Sequence, residues 1–168
     1  MRNRSYAKLL IISEIKLNKL ANKSEIHETM LTLLEEKLHQ ARLDFALAKE
    51  SRDSDTKSSA GDKYETGREM MQREMDKLSA SIDTYQQQLV AMQHLMSHKT
   101  NEQIGLGHLV ETNLETYYIS IGLGAIVGSF GTIYAISAES PLGELMKGKR
   151  VGDTIELRGR NIIIKQIS

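Results

Sequence analysis

The chain has 168 residues, with 22 Lys+Arg against 22 Asp+Glu, five His, one Pro and neither Cys nor Trp. Without cysteine there is no disulfide framework, no thiolate zinc site and no thiol nucleophile, which excludes condensing enzymes that attack through a cysteine. The length allows one or two units with small cores, and the zero net charge hides three segments: residues 1–23 carry six basic groups and one acid, residues 24–106 ten and fifteen, and residues 107–168 six of each.

Residues 1–23 form a basic N-terminal extension, readable either as a continuation of the first helix or as a flexible basic arm. Its apolar run, Leu9 to Ile12, is four residues long and stops at Ser13-Glu14 with no small-residue cleavage pattern behind it. No signal peptide is expected, and the chain reads as cytoplasmic.

From Leu31 the apolar residues fall at Leu31, Leu34, Leu38, Ala41, Phe45 and Ala48, and later at Met71, Met75, Leu78, Ile82, Tyr85, Leu89, Met92 and Met96. Alternating steps of three and four make both series heptad seams. Between them lies Ser51 to Asp62, rich in small and polar turn formers, with Ser59-x-x-Asp62 fitting a capping box. So short a connection predicts an antiparallel coiled-coil helical hairpin over residues 24–100, with its tip at about 53–62. Helices of about 30 residues would make a rod roughly 45 Å long, too thin for a conventional substrate pocket.

Beyond residue 101 the period changes to two. His108–Thr112, Thr116–Ile121, Thr132–Ser137, Asp153–Leu157 and Asn161–Ile167 read as short strands. Ser140-Pro141 opens a short helix that Gly148 closes. Thr116 to Ala138 carries no charge over 23 residues, long enough to span a bilayer. Its four glycines and strand-like flanks instead predict a hairpin with a Gly-rich turn. The fold class is therefore α+β: the helical hairpin, then a small antiparallel β-sheet domain with one short helix over residues 101–168.

Two stretches carry a family resemblance. Ser140-Pro141-Leu142-Gly143-Glu144-Leu145-Met146-Lys147-Gly148-Lys149-Arg150-Val151-Gly152-Asp153-Thr154-Ile155-Glu156, with the strand after it, resembles the C-terminal signature of the Gre-type transcription elongation factors. Ser58-Ser59-Ala60-Gly61-Asp62-Lys63-Tyr64-Glu65-Thr66-Gly67-Arg68-Glu69 is similar to the tip and descending helix of short Gre-like proteins. The resemblance covers residues from about 24 to 168. It implies an FKBP-like C-terminal domain that is not a prolyl isomerase, docked at the rim of the secondary channel of bacterial RNA polymerase, with the hairpin inside the channel. Family tips carry acidic residues that help hold a second Mg²⁺ at the polymerase active site for cleavage of backtracked RNA. The chain itself would be no enzyme and would have no cofactor of its own, and nucleic acid would be met only indirectly through the elongation complex. It would act as a monomer, away from membranes.

The candidate Mg²⁺ carboxylates are those that remain at the tip, Asp53, Asp55 and Asp62, and the resemblance places the polymerase contact at Glu139, Ser140 and Pro141. The family's cleavage-active tips set an Asp and a Glu three residues apart. Here Asp55 is followed three residues on by Ser58, and alignment on Tyr64 puts Lys57 and Ala60 at those positions. Two readings therefore stand: an elongation factor that assists cleavage, and a Gre-fold regulator or inhibitor that occupies the channel without it. A coiled-coil adaptor is a third. Of the remaining features, His94 and His98 lie off the seam without a third ligand, so metal is not expected there. Met70, Met71, Met75, Met92 and Met96 read as an adaptable core. Lys147, Lys149 and Arg150 either face an acidic partner or complement a helix C-terminus.

Overall fold

The computed structural model describes the backbone of residues 3–54, 61–95 and 102–168, and the side chains of residues 23–54, 66–95 and 102–168. Two helices come first, α1 (Asn3–Ser54, 52 residues) and α2 (Gly61–Leu95, 35 residues). The expected 30 residues fall short for α1 because no Gly or Pro interrupts residues 3–54, so the helical backbone runs on through the basic N-terminal stretch. The chain divides into two compact units, Leu31–Ala91 on one hand and the residues up to Met30 with Met92–Ser168 on the other.

In the first unit α1 and α2 pack together. Only six residues separate them, too few to return the chain to the start of α1, so they run antiparallel. Arg52 Nη1 donates to Gln72 Oε1 across the pair at 3.0 Å. The predicted seam is the buried one: Leu34, Leu38, Ala41, Ala48 and Met75 are buried, with Leu31, Phe45, Leu78, Ile82 and Tyr85 half-buried. Met70 departs from its expected place in the core, being 61% exposed, because it stands one residue off the stripe that Met71 and Met75 occupy. Met96 and the proposed Ser59–Asp62 capping pair lie outside the described side chains. The ion pairs Arg73–Glu69 and Lys77–Glu74, at 3.6 and 3.8 Å, are solvent-exposed and add little stability.

The second unit is built on a sheet of six strands, β1 (Leu109–Thr112), β2 (Thr116–Ser120), β3 (Gly124–Gly128), β4 (Gly131–Ser137), β5 (Thr154–Leu157) and β6 (Arg160–Ile167), in the order β3-β4-β2-β1-β6-β5. The sheet is mixed, which corrects the antiparallel expectation: β2 and β4 pair in parallel, with Tyr117 opposite Tyr134 and Ile119 opposite Ile136. The Gly-rich connection between them is itself a strand, since Ala125-Ile126-Val127 between glycines forms β3, which turns back through Ser129-Phe130 into β4. With β4 lying between β3 and β2, the antiparallel partner of β4 is β3, and its other side meets β2 running the same way.

Alternation divides the sheet into two faces. On one, Val110, Tyr117, Ile119, Ile155, Ile162 and Ile164 close a core with Ile104 and with Met146 from the short helix α3 (Pro141–Met146). On the other, Leu109, Tyr118, Ile126, Ile133 and Ala135 are buried. The same unit buries Ile26, Met30, Met92 and Leu95 of the two long helices. Lys23 Nζ donates to the Ser168 carbonyl oxygen at 3.3 Å, and Ser129 Oγ donates to Glu25 Oε1. Among the described residues no helix is long and apolar enough to cross a membrane.

A buried histidine gives this unit a pH signature. His27 is 6% exposed, and its Nδ1 has no hydrogen-bond partner among the described residues. Burial pushes its pKa below the ordinary 6.5, against an opposing pull from Glu28. The unfolded chain therefore takes up this proton more readily than the folded one. Stability is full above the unfolded value and lost as pH falls beneath it. The urea midpoint of the wild type is expected to drop between about pH 7.5 and about pH 5.5 more than that of His27→Gln. Equal drops would remove His27 as the titrating group.

Candidate docking groove and hairpin tip

The core face of the sheet is not fully covered. Beside α3 it opens into a groove of about 860 Å³. Its floor is apolar, from Tyr117 on β2, Ile136 on β4, Leu142 on α3, and Leu157 and Ile162 on β5 and β6. One wall is the Ser140-Pro141 step, and another lip carries Arg158, within the tight turn from β5 to β6, and Arg160 just after it.

Local chemistry sets each wall. Ser140 is the N-cap of α3, with φ −69° and ψ 156°, and its Oγ accepts from the Gly143 N–H at 3.1 Å. The same hydroxyl donates to the Ser137 carbonyl oxygen at 2.6 Å, tying the end of β4 to the start of the helix. Pro141 follows at the first helical position, where its missing N–H costs nothing. Ser140→Ala is expected to cost about 1–2 kcal/mol in urea unfolding, because a helix-starting N–H and a strand-ending carbonyl both lose a partner. A loss below a few tenths of a kcal/mol would mean water replaces both bonds.

The third wall is the loop from β1 to β2. The Thr112 Oγ1 accepts from the Leu114 and Glu115 N–H groups at 3.1 and 3.0 Å, which folds the loop into a turn. Asn113 ties it to β6, its Oδ1 accepting from the Ile163 N–H at 2.7 Å. Glu115 then reaches the groove, where its Oε2 accepts from the Tyr117 hydroxyl at 2.8 Å. Burial, then this bond to a carboxylate and its charge, push the Tyr117 pKa far upward, with Arg160 opposing. The phenol stays protonated and serves as a fixed donor. Tyr134 packs against it with ring centroids 6.0 Å apart.

Of the contact residues named from sequence, Ser140 and Pro141 line the groove. Glu139, Lys147, Lys149 and Arg150 stand outside the lining; Lys149 is half-buried and the other three are exposed. Lys147 caps α3 through its backbone N–H to the Gly143 carbonyl oxygen, and the Arg150 N–H donates to Asp153 Oδ2 at 2.8 Å. Sequence reading missed Arg158 and Arg160. The available signal was Arg158-Gly159 itself: φ is 52° and 75°, the pattern of a type I′ turn, whose first position favours Asn or Gly. Arginine held there costs about 1 kcal/mol of backbone strain.

At the other candidate place, Arg52, Asp53, Arg68, Glu69 and Gln72 line a polar recess of about 310 Å³ on the helical pair. The Asp53 carboxylate is held by its neighbour: Arg52 Nη2 lies 2.9 Å and Nε 3.0 Å from Oδ1. Asp55 and the side chain of Asp62 lie outside the described residues; the backbone puts Asp62 in the first turn of α2. His94 is exposed, and His98 lies outside the described residues. Among the described residues no three His, Asp or Glu side chains converge on a metal position. Mg²⁺ prefers six oxygens in octahedral array. Asp53 shares its Oδ1 with the Arg52 guanidinium, and the Asp55 and Asp62 carboxylates lie outside the described side chains, so no chemical step is routed through a metal here. Comparison with protein-family models returns no match, and no curated protein matches the chain.

Proposed function

We propose that the chain is a Gre-type factor that binds bacterial RNA polymerase in the cytoplasm, as a monomer. Its FKBP-like C-terminal unit docks on the enzyme, and its helical hairpin occupies the secondary channel. The observation that carries this reading is the groove beside α3, which exposes an apolar floor next to the Ser140-Pro141 step that the family resemblance assigns to docking. An apolar floor rimmed by polar and charged groups has the anatomy of a protein–protein contact.

Two activities remain distinct within it. As an elongation factor the protein would help polymerase cleave backtracked RNA. As a channel-occupying regulator it would bind without assisting cleavage, a reading supported by Ser58 standing three residues after Asp55 where the family's cleavage-active tips have Glu. Stalled elongation complexes of the cognate polymerase separate them. Release of short 3′ RNA fragments, lost in Asp55→Ala, supports the elongation factor; binding with unchanged or slowed transcript extension and no fragments supports the regulator. Absence of polymerase binding sinks both, and capture of a different partner through the hairpin would support the adaptor.

A further inference from the structure

We infer that the groove takes a segment in which a carboxylate stands beside an aliphatic side chain, and that Arg158 and Arg160 together bind the carboxylate. The inference rests on the docking reading above and names the chemistry of the polymerase segment that fills the groove.

Arg158 is the one non-glycine residue with positive φ among those described. A two-residue turn is served there by asparagine or glycine without strain, so the turn itself gains nothing from arginine. What arginine supplies is a guanidinium on the groove's lip. Arg160 places a second beside it. Among the described residues neither forms an ion pair. The one carboxylate in the lining, Glu115, already accepts the Tyr117 hydroxyl. With two guanidinium groups against one carboxylate, the lining carries a net positive charge, and beside Tyr117 the floor, from Ile136, Leu142 and Leu157, is aliphatic. Such a surface attracts an acidic and aliphatic segment and repels a basic one. A planar guanidinium also matches a carboxylate in two-point geometry, which lysine would not.

The test is the affinity of the full chain for cognate core RNA polymerase, measured for the wild type, Arg158→Asn and Arg160→Gln, with thermal unfolding alongside. Asparagine suits a positive φ, so Arg158→Asn is expected to keep or raise the melting temperature while weakening binding about five- to tenfold. Arg160→Gln should weaken it comparably, and both variants should show a shallower salt dependence than the wild type. Wild-type binding with both variants equally tight overturns the carboxylate clamp and leaves docking standing. A wild type that does not bind overturns the docking reading, and the clamp falls with it.

Discussion

Replacing Gly143 by alanine is expected to destabilise the sheet unit by about 3–4 kcal/mol, among the larger effects a single methyl group can have. A Cβ at this position would overlap the Ser137 carbonyl oxygen and come within 2.9 Å of Ala138 Cα and C. All three are backbone atoms at the end of β4, with no side-chain rotation to relieve the clash. The Ser137 carbonyl is also the acceptor for Ser140 Oγ and for the Ser140 N–H. Moving it therefore loosens the cap of α3, and with it Leu142, Met146 and the groove wall. In thermal unfolding, a domain of this size should lose well over 10 °C. Polymerase binding should weaken in parallel. If Gly143→Ala melts within about 2 °C of the wild type, α3 can shift away from β4 at little cost and the close approach is not a constraint.

In the helical unit, Leu34→Ala is expected to cost about 2–5 kcal/mol, whereas Leu47→Ala should stay within about 0.5 kcal/mol. Leu34 has no exposed surface, and truncation would leave a void between α1 and α2. Leu47 is 64% exposed on the same helix and fills nothing. The two substitutions are chemically identical, so the difference in urea midpoint reads the position of the seam alone. Similar losses at both positions would mean that the outer stripe with Leu43 and Leu47 is covered in solution, as in an open, exchanged dimer. Sedimentation would then detect the dimer.

Leu34 and Leu47 also show how much was legible in the sequence. Steps of three and four assign Leu34 to the seam and leave Leu47 off it, because a helix presents a stripe whose period depends on neighbouring residues alone. The same locality made α3 readable, since Ser140 at the N-cap and Pro141 after it act within one turn. Five strand segments are visible as alternation, whereas flanking glycines dilute the short signal of Ala125-Ile126-Val127, so the sequence predicts a turn where β3 forms.

Strand order was not visible in that way. Alternation says which side chains share a face, while the neighbour of a strand depends on partners far along the chain, so β4 entering parallel to β2 was settled only by tertiary packing. The candidate site divides along the same line. Ser140 and Pro141 were identifiable from a local motif, whereas no local motif singles out Arg158 and Arg160. Only the fold brings these arginines and Ser140 to the lining of one groove. By itself the sequence determined the helical pair, five of the six strands and the capped start of the short helix, because those signals are local in the chain. Tertiary structure decided the mixed sheet and the charged lip of the groove, because these depend on contacts between segments distant in the chain.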